Sequence, residues 1–166
     1  MSIAIDDLQI EPVEESQKPL LANLMQAYEH DLSEFTGVGP DQEGIFSVGN
    51  YFDVYWTEIE RHPFKFLYNG QPAGFALVRQ LEDGAYSMAE FFVLRHHRRT
   101  GLGKLAAITL FNRFPGIWHV AQDEHNYPAQ KFWRSIIAEF TKGDFSEQWS
   151  DAQPTGPLQV FQSRGA

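Results

Sequence analysis

Cysteine is absent from the 166 residues. That single absence removes disulfides, thiolate nucleophiles and cysteine-built zinc sites together. Positive charge is scarce as well: 13 lysines and arginines stand against 22 aspartates and glutamates, a net charge of −9. A nucleic-acid backbone rewards the opposite balance, so no nucleic-acid partner is expected. The acidity fits solubility, or long-range attraction of a cationic substrate. No apolar run reaches about 18 residues, so neither a membrane-spanning helix nor a membrane partner is expected. The opening Met1-Ser2-Ile3-Ala4-Ile5-Asp6-Asp7 lacks the basic start and long apolar core of a secretory leader, which makes a cytoplasmic location the expectation. No repeat, low-complexity stretch or long polar linker divides the chain, so residues 1–166 read as a single domain. Hydrophobic residues at 43% and aromatics at 14% supply ample material for its core.

Periodicity then orders the elements. Leu20, Leu21, Leu24, Met25, Tyr28 and Leu32 recur at spacings of three and four, with Pro19 suited to a first turn, which predicts a helix over 14–35. Gly37, Gly39, Pro40, Gly44 and Gly49 mark 36–50 as a loop. Phe52, Tyr55, Trp56 and Ile59 predict a second helix over 51–60. Strands follow at 63–68 and 71–80 around Asn69-Gly70, a hairpin signal, and at 87–94 after Asp83-Gly84. A helix over 103–114 stops at Pro115-Gly116, a short strand covers 117–121, and a helix runs from Pro128 to about Phe140. Two further strands are expected in 141–163 around the turn-rich Ser150–Gly156. A helix-rich start, an antiparallel meander, and then strand–helix–strand–helix imply a mixed α/β (α+β) sheet covered by helices.

The densest chemistry lies in Phe91-Phe92-Val93-Leu94-Arg95-His96-His97-Arg98-Arg99-Thr100-Gly101-Leu102-Gly103-Lys104. Here a strand passes through a basic, glycine-bearing loop into a helix. Glycines at a helix mouth let backbone N–H groups approach a phosphate, and the helix N-terminus adds partial positive charge. Gly101-Leu102-Gly103-Lys104-Leu105-Ala106 formally matches the dinucleotide fingerprint, with Asp123 about 20 residues on. The match is poor because Arg95 to Thr100 separate strand from glycines and too little chain follows for further βα units. A Walker loop fails too, since Lys104 follows Gly103 directly and no Ser or Thr succeeds it. His96-His97 has no neighbouring carboxylates on its loop, so no metal is expected.

Two linked motifs carry a resemblance. Val93 is followed five residues on by Arg98-Arg99-Thr100-Gly101-Leu102-Gly103, and Asn126-Tyr127-Pro128-Ala129-Gln130-Lys131-Phe132-Trp133 comes after the next strand. In order and separation these resemble the GNAT superfamily of acetyl-CoA-dependent N-acetyltransferases, over about residues 88–140 and, through the flanking strands, nearly the whole chain. The resemblance implies a central mixed, mostly antiparallel sheet of about seven strands flanked by about four helices. It implies acetyl-CoA as co-substrate, a homodimer as a common assembly, and an amine acceptor. Residue by residue, it implies that backbone groups of Val93 and Leu94 pair with the pantetheine arm, where two strands splay beside a bulge. Amides from Arg99 through Thr100, Gly101, Leu102 and Gly103 to Lys104 would hold the pyrophosphate, with Arg98, Arg99 and Lys104 adding charge. Asn126 would meet the pantetheine region, and Phe132 and Trp133 would border its thiol end.

Acetyl transfer requires that the amine lose a proton, the carbonyl be polarised and the thiolate leave. The resemblance gives the carbonyl to the Val93 amide. Glu90, three residues earlier among aromatics, is the acid/base or amine-recognition candidate, since an apolar setting raises a carboxylate's pKa. The tyrosine that the family often uses to protonate the thiolate is replaced by Trp133, and indole is no proton donor for this role. Tyr127 is the first substitute, with Tyr28, His125 and His30 as others, or water. For the acceptor, Tyr28, Asp31, Tyr55 and Glu90 are the candidates, because acids beside aromatics suit an amine; Tyr51 and Trp56 could join that wall. With no cysteine to carry an acyl group, direct attack in a ternary complex on behalf of a small primary amine is the expected route. A protein or peptide acceptor, or an acyl-CoA-binding sensor without turnover, are the alternatives.

Overall fold

The computed structural model describes residues 4–166. Seven strands form one sheet in the order β1-β2-β3-β4-β5-β7-β6. They are β1 (Leu8–Pro12), β2 (Arg61–Tyr68), β3 (Gln71–Gln80), β4 (Tyr86–Val93), β5 (Gly116–Ala121), β6 (Phe145–Ser150) and β7 (Gly156–Ser163). Every neighbouring pair is antiparallel except β4 and β5, which run parallel because a helix crosses between them. Three α-helices are present among the described residues, one fewer than expected: α1 (Lys18–Thr36), α2 (Leu102–Arg113) and α3 (Tyr127–Thr141).

Local chemistry explains most boundaries. Pro19 sits in the first turn of α1, and Gly37, at φ 70°, ends it by donating its N–H to the Ser33 carbonyl. Asn69 and Gly70 both adopt positive φ, the backbone a tight β2–β3 hairpin needs. Side chains then alternate across the sheet. On one face Phe64, Phe66, Ala76, Val78, Trp118 and Phe161 pack under Leu110 and Phe111 of α2 and Ile136 and Ile137 of α3. On the other, Phe75, Leu77 and Phe92 pack under Leu21, Leu24 and Met25 of α1. Leu110 and Phe111 are fully buried, each contributing about 1.5–3 kcal/mol over an exposed position.

Two expectations fail near the N-terminus. Residues 51–60 form only a short 3₁₀ turn at Asp53–Trp56. That single turn already buries Phe52 and Tyr55, while Ile59 points into solvent at 86% exposure, so nothing holds a longer helix. Strand β1 is not expected from the sequence pattern, because its alternation lasts only five residues and ends on Pro12 at the sheet edge.

Candidate active site

The site begins with an irregularity in β4. Leu77 pairs with Glu90 but the next residue, Val78, pairs with Met88, so Ala89 is an extra residue, a β-bulge. Its effect on side-chain direction is decisive. Met88 packs on the α2/α3 face, and strict alternation would send Glu90 there too. The bulge instead lets Ala89 face α1, and Glu90 follows it there, while Phe91 and Val93 return to the α2/α3 face. Because Ala89 is taken up as a bulge and not as a paired strand residue, the carboxylate faces the α1 core and not the α2/α3 core.

Beyond the bulge the sheet opens. β4 pairs with β5 only at Tyr86–Trp118 and Ser87–His119, and the strands part thereafter. The Leu94 N–H donates to the Ala73 carbonyl, which makes Gly74 and Val93 a non-hydrogen-bonded pair. The N–H and C=O of Val93, and of Phe91 two residues earlier, therefore point into the gap left by β5. Leu94 does not: its N–H serves Ala73 and its carbonyl accepts from His97, so its expected pairing with a pantetheine arm is corrected.

The basic loop is shaped by its backbone. Arg95–His97 form a 3₁₀ turn, and Arg99 and Gly101 adopt φ of 60° and 91° before α2 starts at Leu102. A Cβ on Gly103 would lie 3.1 Å from the Phe132 ring, so α2 and α3 approach closely here and any larger residue must displace that ring. The cationic side chains divide. Arg98 donates Nε–H to the Val93 carbonyl at 3.0 Å and pairs with Asp31 of α1, as does Arg95 at 2.9 Å. Lys104 pairs with Glu139 at 2.6 Å. Arg99 is exposed, and among the described residues no ion pair involves it. The charge expected from Arg98 and Lys104 is thus engaged within the protein, whereas Arg99 and the amides through Thr100, Gly101, Leu102, Gly103 and Lys104 remain at the loop.

A cleft of about 300 Å³ runs from this opening to α1. Val93, Asn126, Pro128, Ala129 and Phe132 wall one end, and Tyr28, Asp31, Leu32, Glu34 and Phe35 the other. Asn126 also caps α3, its Oδ1 accepting from the Ala129 N–H at 3.1 Å. Several expected residues lie elsewhere. Trp133 is 6% exposed and stacked among Phe91, Phe111 and Phe132, a core residue rather than a cleft wall. Tyr127 is 67% exposed and lines a different depression beside Trp149, which removes it from the proton chemistry of this cleft. Tyr55 is buried in the α1 core, with Arg61 over its ring, and burial pushes its phenol up to about 12. Asp31 does line the cleft, but as the partner of two arginines. Burial alone would raise its carboxyl; hydrogen bonds from Arg98 and Arg95 outweigh it and hold the group below its ordinary range, so it offers no free charge to an amine.

Glu90 sits behind the α1 wall. The Tyr28 hydroxyl donates to its Oε2 and the Tyr51 hydroxyl to its Oε1 at 3.1 Å. Burial raises the carboxyl; the two phenols favour the anion without cancelling that cost, and the pKa is pushed up to about 7. Burial beside this carboxylate drives both phenols well upward, so each stays protonated. Leu32 and Phe35 escaped sequence reasoning as cleft residues, although their spacing of four and seven from Tyr28 puts all three on one helix face.

The profile of the Acetyltransferase (GNAT) family matches residues 24–136. No curated protein sequence matches the chain. Solved structures share the fold at low identity. An acetyltransferase from Thermus thermophilus superposes with a TM-score of 0.71 at 18% identity, over 98% of this chain and 99% of that one. The ribosomal-protein-S18-alanine N-acetyltransferase of Escherichia coli gives 0.62 at 14%, over 96% of each. The aminoglycoside acetyltransferase AAC(6')-Ib, in complex with coenzyme A, gives 0.64 at 14%, over 93% and 94%. The family profile covers more than half the sequence, and the splayed strands and glycine loop lie within it: the chain belongs to the GNAT family of acetyltransferases.

Proposed function

We propose that this protein transfers the acetyl group of acetyl-CoA to the primary amine of a small molecule, by direct attack in a ternary complex. The observation that carries this reading is the opened edge of β4. There the Val93 N–H is free of sheet partners and faces a cleft whose α1 wall, at Tyr28, backs onto Glu90. The residues fit a coenzyme A thioester. The Val93 N–H, its carbonyl being held by Arg98, offers strand-like backbone pairing, the amides from Arg99 to Lys104 with the Arg99 guanidinium offer an anion cradle, and Asn126 and Phe132 would flank the arm between them. The co-substrate supplies an activated acyl carbon and a thiolate leaving group. The chain supplies the polarising amide, the apolar walls that thin out water, and a carboxylate poised near neutrality.

Related folds act on acceptors as different as an aminoglycoside and a ribosomal-protein alanine, so the fold does not choose between small molecule and protein. The cleft does favour one. It is small, its walls are mainly Leu32, Phe35, Phe91, Phe92 and Phe132, and Asp31 is neutralised within it. That space suits an amine on a compact apolar body. Thiol release from acetyl-CoA, measured against a panel of small primary amines and a peptide library, is expected to show turnover with small apolar amines. Acetylation of peptides alone would overturn the acceptor. No thermal stabilisation by millimolar acetyl-CoA would overturn the whole reading.

A further inference from the structure

Glu90 does not line the cleft; Tyr28 does, and it stands between the two. Its ring is fixed edge-on against Phe75 and Phe92, at centroid distances of 5.4 and 5.7 Å, and its hydroxyl is tied to the Glu90 carboxylate. The other ionisable residues of the cleft are engaged or peripheral: Asp31, Arg95 and Arg98 pair with one another, and Glu34 lies exposed at the rim. Trp133 and Tyr127, the two candidates on the α3 motif, are respectively core and outside. Resting on the acetyltransferase reading above, we propose that Tyr28 is the residue that exchanges a proton with the reactants, relaying it to and from the Glu90 carboxylate behind it.

The steps balance with one travelling proton. As the amine nitrogen bonds to the acyl carbon, it gives a proton to the Tyr28 oxygen, and the Tyr28 proton passes to Glu90 Oε2. As the carbon–sulfur bond breaks, the sulfur takes a proton from Tyr28, which is restored from Glu90. Amide and thiol leave, and both residues return to their starting forms. Tyr28 never rests as a phenolate, in keeping with a pKa held well above the ordinary value by burial and by Glu90. The groups facing this carboxylate are Tyr28 and Glu29 from α1, Tyr51 from the turn before the 3₁₀ segment and Tyr55 within it, so its surroundings are phenols and one further acid.

Tyr51 supplies the internal comparison. It bonds the same carboxylate but is absent from the cleft wall. With acetyl-CoA and an amine that the wild type turns over, Tyr28→Phe and Glu90→Gln should each lower kcat by about 100-fold, and the double variant no further than the worse single, while Tyr51→Phe loses under about 5-fold. Acetyl-CoA affinity, read by thermal shift, should stay within about 2-fold in all four, which also shows that they fold. A Tyr28→Phe enzyme within about 3-fold of wild-type kcat, or a Tyr51→Phe enzyme that falls as far, overturns the relay. A wild type that neither binds acetyl-CoA nor releases thiol overturns the acetyltransferase reading and the relay with it, so the two failures are distinguishable.

Discussion

The two ends of the cleft are built from different materials. The β4–α2 end is backbone: a strand edge without a neighbour, two left-handed residues, and a glycine where helices touch. The α1 end is side chain: the Tyr28 phenol on the cleft wall, with the Glu90 carboxylate and the Tyr51 phenol behind it. Backbone sites tolerate many sequences provided the turns form, whereas the side-chain end depends on one bulge and on Tyr28 and Glu90. Substitutions should therefore be graded by which end they strike, and the largest effect belongs to the bulge that joins them.

Inserting one residue between Leu77 and Val78 of β3 gives Ala89 a partner and restores plain alternation in β4. Glu90 then turns from its two phenols onto the α2/α3 core, or Met88 is expelled from that core to spare it. Turnover should vanish, and Tm should fall by about 10 °C, as expected when a carboxylate is buried unpaired or packing is lost. An insertion variant that keeps both Tm and activity would show that the bulge does not aim Glu90.

The pH dependence isolates the side-chain end. The Glu90 carboxyl has an ordinary pKa of 4.5, and in the folded protein it is pushed up to about 7. The anion is the proton acceptor, so kcat at saturating amine should rise with pH and level off above about 7. Stability should move the other way. Between 4.5 and about 7 the folded chain holds a proton that the unfolded chain releases, so unfolding becomes easier as pH rises through that window. Glu90→Gln should flatten both curves. A wild-type kcat profile that is flat from pH 5 to 8 would take Glu90 out of the chemistry.

How much of this was legible in the sequence follows the same division. Glycine and proline spacing marks turns directly, so the hairpin at Asn69-Gly70, the loop into α2 and the proline-marked starts of α1 and α3 could be read. Glu90 could be singled out because it interrupts an aromatic strand. Its partners could not be paired with it, because Tyr28 and Tyr51 lie 62 and 39 residues away and only the bulge turns Glu90 toward them. Ala89 itself gives no sign, since alanine fits a regular strand and a bulge alike. The pairing of Arg98 with Asp31 was equally hidden: the same charges read as a phosphate ligand and an amine ligand until tertiary structure placed them against each other.

The backbone end should respond to Gly103→Ala. The added methyl meets the Phe132 ring at 3.1 Å, so the ring or α2 must shift at the place where the cradle and the arm adjoin. Acetyl-CoA affinity should fall by about 10-fold, roughly 1.4 kcal/mol, with kcat at saturation little changed. Affinity left intact, with kcat reduced instead, would mean that Phe132 belongs to the chemical end of the cleft.

The smallest effects separate the cations of the loop. Lys104 already holds Glu139, at 2.6 Å on the surface, so removing it frees an acid rather than emptying a phosphate site. An exposed pair of this kind contributes about 0–1 kcal/mol, and Lys104→Ala should change acetyl-CoA affinity by under about 3-fold. Arg99 differs in two ways: it has no ion-pair partner among the described residues, and its backbone, at φ 60°, takes part in the turn that precedes α2. Replacing it with Lys keeps the charge and loses bidentate contact with a phosphate, while Ala loses both. Affinity should fall by about 2-fold and about 10-fold respectively, and the Ala deficit should shrink as salt is raised. Equal losses at Lys104 and Arg99 would show that the Glu139 pair opens when the co-substrate binds, and that both ammonium and guanidinium reach the phosphates.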